Sequence, residues 1–120
     1  MVMEQNGTIP FADNAYNWLE KSWGKNLSHK TSQATATTTS AKLVDRLPRR
    51  VSLTIINLGS NNIYIAPEEA ASTTNGIYLT GSGGSFAINL REDAVLPLLE
   101  WSVISETSTS AIYVLEVRMI

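Results

Sequence analysis

From Val51 onward the chain alternates apolar and polar positions. Val51, Leu53 and Ile55 are separated by Ser52 and Thr54, the period-two signature of a strand with one face in a core. The cluster Asn57-Leu58-Gly59-Ser60-Asn61-Asn62 reads as a turn, and Ile63-Tyr64-Ile65 as a second strand ended by Pro67. That spacing predicts a hairpin with a loop longer than two residues. Asn75-Gly76 signals a tight turn before Ile77-Tyr78-Leu79. Gly81-Ser82-Gly83-Gly84 reads as a mobile loop ahead of a fourth strand carrying Phe86, Ile88 and Leu90. After a turn at Arg91-Glu92-Asp93, Leu99, Trp101 and Val103 share one face of a fifth strand. The polar stretch 105–110 leads to a last strand with Tyr113, Leu115 and Val117 on one face and Ile112, Val114 and Glu116 on the other. Six short strands without an intervening helical pattern predict a mainly β protein: a compact antiparallel β-sandwich of jelly-roll-like type. Apolar residues on both faces of the last strand imply that its second face is partly covered, by an arm or by another subunit.

Upstream of Arg49 the pattern is different. Residues 1–12 have no periodicity. Ala15, Trp18, Leu19 and Trp23 fall near helical spacing, and Gly24 follows, which predicts one short amphipathic helix over 14–23. About three turns do not hold a helix together in isolation, so its aromatics Tyr16, Trp18 and Trp23 must rest on the home domain or on a neighbour. Residues 28–40 contain almost no apolar side chain larger than alanine and include the run Thr35-Ala36-Thr37-Thr38-Thr39-Ser40. Such a segment buries little surface against its ordering entropy, which predicts a linker or extended arm. Residues 42–46 read as a short helical turn or strand, and Pro48 marks a boundary. The expected organisation is an N-terminal arm, 1–48, and a sandwich domain, 49–120.

Composition narrows the function classes. Charged residues make up 17 % of the 120 positions, against about 25 % in ordinary domains; Ser, Thr and Asn take their place, as suits β structure and assembly contacts. The net charge is −2. Five basic and four acidic residues lie in 1–48, and four and seven in 49–120. Neither part is the basic patch that holds nucleic acid by counterion release, so no specific nucleic-acid partner is expected. Without cysteine there are no disulfides, thiolate metal sites or cysteine nucleophiles. The first residues lack a basic and then apolar signal pattern, and no apolar run approaches about 20 residues, so neither secretion nor a membrane span is expected.

Candidate chemistry is sparse. His29, the one histidine, lies in a polar segment with no ligand or base partner near it in sequence. The pairs Glu68-Glu69 and Glu92-Asp93 are adjacent residues, which in a strand point apart and in a turn face water, whereas a glycosidase pair converges across a cleft. Calcium at Glu92-Asp93 lacks the spaced oxygen ligands of a calcium loop. The glycine-rich loop lacks the Lys-Ser/Thr ending of a phosphate loop. No enzyme activity, metal or cofactor is expected. Trp101 and Tyr113 match inward core positions; Tyr64 and Tyr78 are the aromatics available for stacking on a sugar ring.

Arg50-x-Ser52-Leu53-x-Ile55-x-Asn57-x-Gly59, Ile63-Tyr64-Ile65, Gly76-Ile77-x-Leu79-x-Gly81, the Trp101 strand and Val114-Leu115-Glu116-Val117 together resemble small β-sandwich structural proteins of tailed-phage virions. The resemblance covers about three-fifths of the chain. It implies a non-enzymatic subunit that decorates and stabilises a capsid, or a neck or tail accessory protein. It implies as partners the major capsid protein or other virion subunits and further copies of itself, with assembly in the host cytoplasm. Tyr16, Trp18 and Trp23 and the threonines Thr37, Thr38 and Thr39 would then make inter-subunit contacts. A carbohydrate-binding host-recognition module using Tyr64 and Tyr78 is the alternative.

Overall fold

The computed structural model describes residues 27–120. They form eight strands: β1 (Leu27–Ala36), β2 (Ala41–Val44), β3 (Arg50–Asn57), β4 (Ile63–Pro67), β5 (Ile77–Leu79), β6 (Ser85–Asn89), β7 (Trp101–Ser105) and β8 (Ser110–Met119). A one-turn helix, α1 (Leu90–Asp93), and a 3-10 turn (Leu96–Leu98) join β6 to β7.

The strands divide into two four-stranded sheets, ordered β1-β8-β3-β6 and β2-β7-β4-β5. Every pair is antiparallel. The pairs nest, first strand with eighth, second with seventh, third with sixth and fourth with fifth, which is the winding of an eight-stranded jelly roll. The core lies between the sheets: Leu53 and Ile55 of β3 and Ile112 and Val114 of β8 face Ile63 and Ile65 of β4 and Trp101 and Val103 of β7. Trp101 packs on Phe86 with ring centroids 5.1 Å apart. Its indole N–H donates to the Leu96 carbonyl at 3.0 Å, which satisfies the one polar atom this ring brings into the core.

Four expectations are corrected. First, 28–40 is not a linker. Residues 27–36 run as β1 along β8, in register from Leu27 opposite Met119 to Ala36 opposite Ser110. A continuous backbone ladder supplies what the small side chains lack. The boundary at residue 48 falls with it, because β1 and β2 each complete one of the two sheets. The helix predicted over 14–23, with Tyr16, Trp18 and Trp23, lies outside the described residues.

Second, β3 and β4 are not a hairpin; they belong to different sheets, and the connection 58–62 crosses the end of the sandwich. Buried Asn57 anchors it. Its side-chain amide donates to the carbonyls of Asn61, Leu79 and Thr80 at 2.7, 3.2 and 3.1 Å, and its Oδ1 accepts from the Ser110 hydroxyl at 2.6 Å.

Third, the glycine-rich loop is pinned. Ser82 and Gly83 donate backbone N–H bonds to the carbonyls of Gly59 and Asn57, at 2.6 and 2.8 Å, and Gly83 takes φ 116°.

Fourth, Tyr113 is not in the core. Ile112, Val114 and Glu116 point inward, and Tyr113, Leu115 and Val117 are half-buried on the outer face. Pattern alone favours Tyr113 inside, because the other parity carries a glutamate. Glu116 is tolerated there because Arg50 pairs with it.

Candidate functional site

Most of the polar residues singled out in the sequence are used locally. Asn89 caps α1: its Oδ1 accepts from the Glu92 N–H at 2.9 Å, and the Asp93 carboxylate accepts from the Asn89 N–H at 3.0 Å. This reciprocal cap engages the Asp93 carboxylate, and the Glu92 carboxylate accepts from the Asn89 side-chain amide at 3.1 Å. Glu68 bonds the Arg46 guanidinium and accepts from the Glu100 N–H at 3.0 Å. Glu69 accepts from Asn75 at 2.6 Å. His29 is exposed on β1, opposite Val117. Among the described residues no group of three or more His, Asp or Glu side chains is placed to hold a metal ion, and no helix is long and apolar enough to cross a membrane.

Thr37, Thr38 and Thr39 sit in the arch that carries the chain from β1 in one sheet to β2 in the other. The Thr37 hydroxyl donates to the Thr39 carbonyl at 3.2 Å, and the Thr37 carbonyl accepts from the Ser105 N–H at 2.7 Å. All three threonines are exposed. The arch leads directly out of β1, an outer strand of its sheet. From Ser28 to Gln33 each β1 side chain is exposed. The strand is ten residues long, with hydroxyl, amide and small side chains beside one leucine, one histidine and one lysine.

Tyr64 and Tyr78 come together as cross-strand partners on β4 and β5. Their rings are 5.4 Å apart at 60°, and Tyr78 is 51 % exposed. Burial, then the nearby Glu106 and Tyr78, raise the Tyr64 hydroxyl above its ordinary pKa. Gly76 closes the loop beside them: a Cβ there would stand 2.9 Å from the Tyr64 Cβ.

Sequence reasoning missed one constellation, the ionic cluster between the sheets near β1 and β2. Arg50 Nε donates to Glu116 Oε1 at 2.8 Å, with both side chains almost wholly buried. Arg118 reaches the same oxygen at 3.3 Å. Three more Arg50 N–H groups donate to the carbonyls of Pro97, Leu99 and Asp45 at 3.1, 3.2 and 2.8 Å. A β-bulge between Arg50 and Ser52 makes the geometry: Val51 is the extra residue, and the local kink turns Arg50 inward. A signal was present, since Glu116 shares the parity of Ile112 and Val114. The cluster borders a cavity of about 250 Å³, to which Lys30 and Ser32 also contribute.

No protein-family model matches the chain, and no curated protein does. Solved structures similar to it include a chain of Bacillus endospore appendages, described as a novel family of disulfide-linked pili. The TM-score is 0.47 at 12 % identity, over 78 % of this chain and 87 % of that one. The SPBc2 prophage-derived protein YomS gives a TM-score of 0.43 at 15 % identity, over 75 % of this chain and 95 % of that one. A truncated viral collagen prolyl hydroxylase from Paramecium bursaria Chlorella virus-1 gives 0.44 at 9 % identity, over 91 % of this chain and 67 % of that one. None of these three scores decides what this chain does. Among the described residues the class the fold defines is an eight-stranded jelly-roll sandwich with a ten-residue outer strand, β1.

Proposed function

We propose that this protein is a non-enzymatic structural subunit of a phage-like virion that decorates and stabilises the capsid. The observation that carries the reading is β1, a ten-residue edge strand. Natural proteins usually shorten, charge or cover such an edge because it templates pairing with another chain. Here the edge is long, and from Ser28 to Gln33 its side chains are exposed. It fits strand addition to or from a neighbour. The partners are the major capsid protein or another virion subunit, and further copies of this chain. The exposed Thr37, Thr38 and Thr39 extend the same surface, and Tyr16, Trp18 and Trp23 precede it in the chain. Many weak identical contacts add on a repetitive lattice. The resemblance of the strand and turn pattern to tailed-phage structural subunits supports the virion setting.

The test is the copy number of the chain in purified particles by mass spectrometry, with wild type compared to Thr31→Lys/Thr35→Lys on β1. A copy number on the order of hundreds, falling in the variant, is expected. A ring-like number of about six or twelve moves the protein to the neck or tail. Absence from particles, or full retention of the variant, overturns the reading.

A second reading has its own observation, the Tyr64–Tyr78 pair, in which Tyr64 is half-buried and Tyr78 exposed. It would make the protein a carbohydrate-binding module for a host surface. Glycan binding that disappears in Tyr78→Ala is its expected signature.

A further inference from the structure

The ionic cluster between the sheets is unbalanced in a way that assembly through the β1 edge does not use. Three cationic side chains, Lys30, Arg50 and Arg118, border the cavity around one inward carboxylate, Glu116. Two other charges at its rim are already matched: Asp45 pairs with Lys42 at 2.8 Å, and Arg46 pairs with Glu68. Glu116 places both of its arginine contacts on one oxygen, Oε1.

Arg50 places four of its five N–H groups on the Glu116 carboxylate and three backbone carbonyls. Arg118 does not match this. Its one bond is the 3.3 Å contact from Nη2 to Glu116, and its Nε, though buried, has no partner. A buried N–H left without an acceptor costs free energy. Lys30 stands opposite Glu116 in the β1–β8 register, yet no carboxylate among the described residues lies within ion-pair distance of its ammonium. Ser32 lines the same cavity. Its volume of about 250 Å³ far exceeds the roughly 10–15 Å³ that one water needs.

These groups share one missing partner. A guanidinium offers a planar fork to two oxygens of a carboxylate or phosphate, an ammonium adds a mobile point charge, and a hydroxyl completes the set. In the reduced dielectric between the sheets, the positive surplus favours an anion more than it would in water.

We infer that this cavity binds a small oxoanion, a phosphoryl or carboxylate group, through Arg118, Lys30 and Ser32. Arg50 and Glu116 are the scaffold that aims Arg118, not ligand-binding groups themselves. Among the described residues β1 pairs with β8 alone, so its other edge takes no part in this site.

The experiment uses the full chain, with thermal unfolding and titration calorimetry in inorganic phosphate and in succinate, each against sodium chloride at the same ionic strength. A ligand that binds only the folded state raises Tm saturably. Saturable stabilisation by at least one of the two oxoanions is expected, and chloride should give none. Phosphate alone assigns a phosphoryl site and succinate alone a carboxylate site. Lys30→Gln changes an exposed, unpaired side chain and should fold as the wild type does, with binding about tenfold weaker. Arg118→Lys keeps the charge, loses the fork and should weaken binding similarly. No saturable effect from either anion, or equal affinity in both variants and the wild type, overturns the site.

Discussion

Arg50 and Glu116 meet Nε to Oε1 at 2.8 Å, on adjacent strands of one sheet, with side-chain exposures of only 2 % and 5 %. Neither charge is tolerable there without the other. Removing both from water is costly, and removing one partner leaves the other uncompensated. Glu116→Ala is therefore expected to destabilise the fold by about 3–5 kcal/mol, measured by urea unfolding. Arg50→Met/Glu116→Met should lose less than the sum of its single variants, which a double-mutant cycle reads directly. Additive losses would show that the pair is not coupled.

Asn57 is the second polar residue the core depends on. Its amide ties three carbonyls on two different connections, and its Oδ1 holds Ser110. Asn57→Leu keeps a comparable volume and leaves those groups without partners. A loss of about 3 kcal/mol in chemical unfolding is expected. A loss below about 1 kcal/mol would mean that water replaces the amide.

Two glycines nearby should respond differently to alanine. At Gly59 a Cβ would collide with the Ser110 hydroxyl and stand 2.8 Å from the Ala111 nitrogen, so Gly59→Ala disturbs the Asn57–Ser110 bond as well. The expected cost is about 1–3 kcal/mol, as for overpacking elsewhere. At Gly83 nothing lies within 4 Å, but φ is 116°, and the cost is backbone strain of about 1–2 kcal/mol. Crystal structures of the variants separate the cases: Ser110 moves in the first, and no neighbour moves in the second.

Tyr64 predicts a dependence on alkaline pH. Its pKa is raised in the folded protein by burial first, then by Glu106 and Tyr78. The unfolded tyrosine ionises near its ordinary value of about 10. The stabilising contribution is therefore complete below that value and is lost as pH rises through the folded-state value. Urea midpoints followed from about pH 9 to about pH 11 should fall more steeply for the wild type than for Tyr64→Phe. Parallel curves would exclude the linkage.

Alternation made β3, β4, β6 and β8 legible from the sequence, and turn signals such as Asn75-Gly76 separated them. The same rule missed β1, because a strand held mainly by its ladder to β8 carries no apolar period. It also left β8 ambiguous, since both parities are apolar. Tyr64 and Tyr78 were legible as two aromatics available for stacking, but their meeting at 5.4 Å depends on the β4–β5 register. The cavity cluster was not assembled, because Lys30, Arg50, Glu116 and Arg118 come from three strands whose adjacency no local pattern encodes.

The sequence by itself determined a mainly β, sandwich-forming chain, low in charge, with Trp101 among its core positions. Those properties follow from side-chain period and composition, which act over a few residues. The tertiary structure decided that residues 27–44 belong to the sandwich, that Glu116 faces inward and Tyr113 outward, and that β3 and β4 part into different sheets. These are decided by long-range partners: the β1 ladder needs β8, and Glu116 needs an arginine 66 positions away. A buried charge or a bare polar strand becomes stable only when the partner that satisfies it is brought alongside.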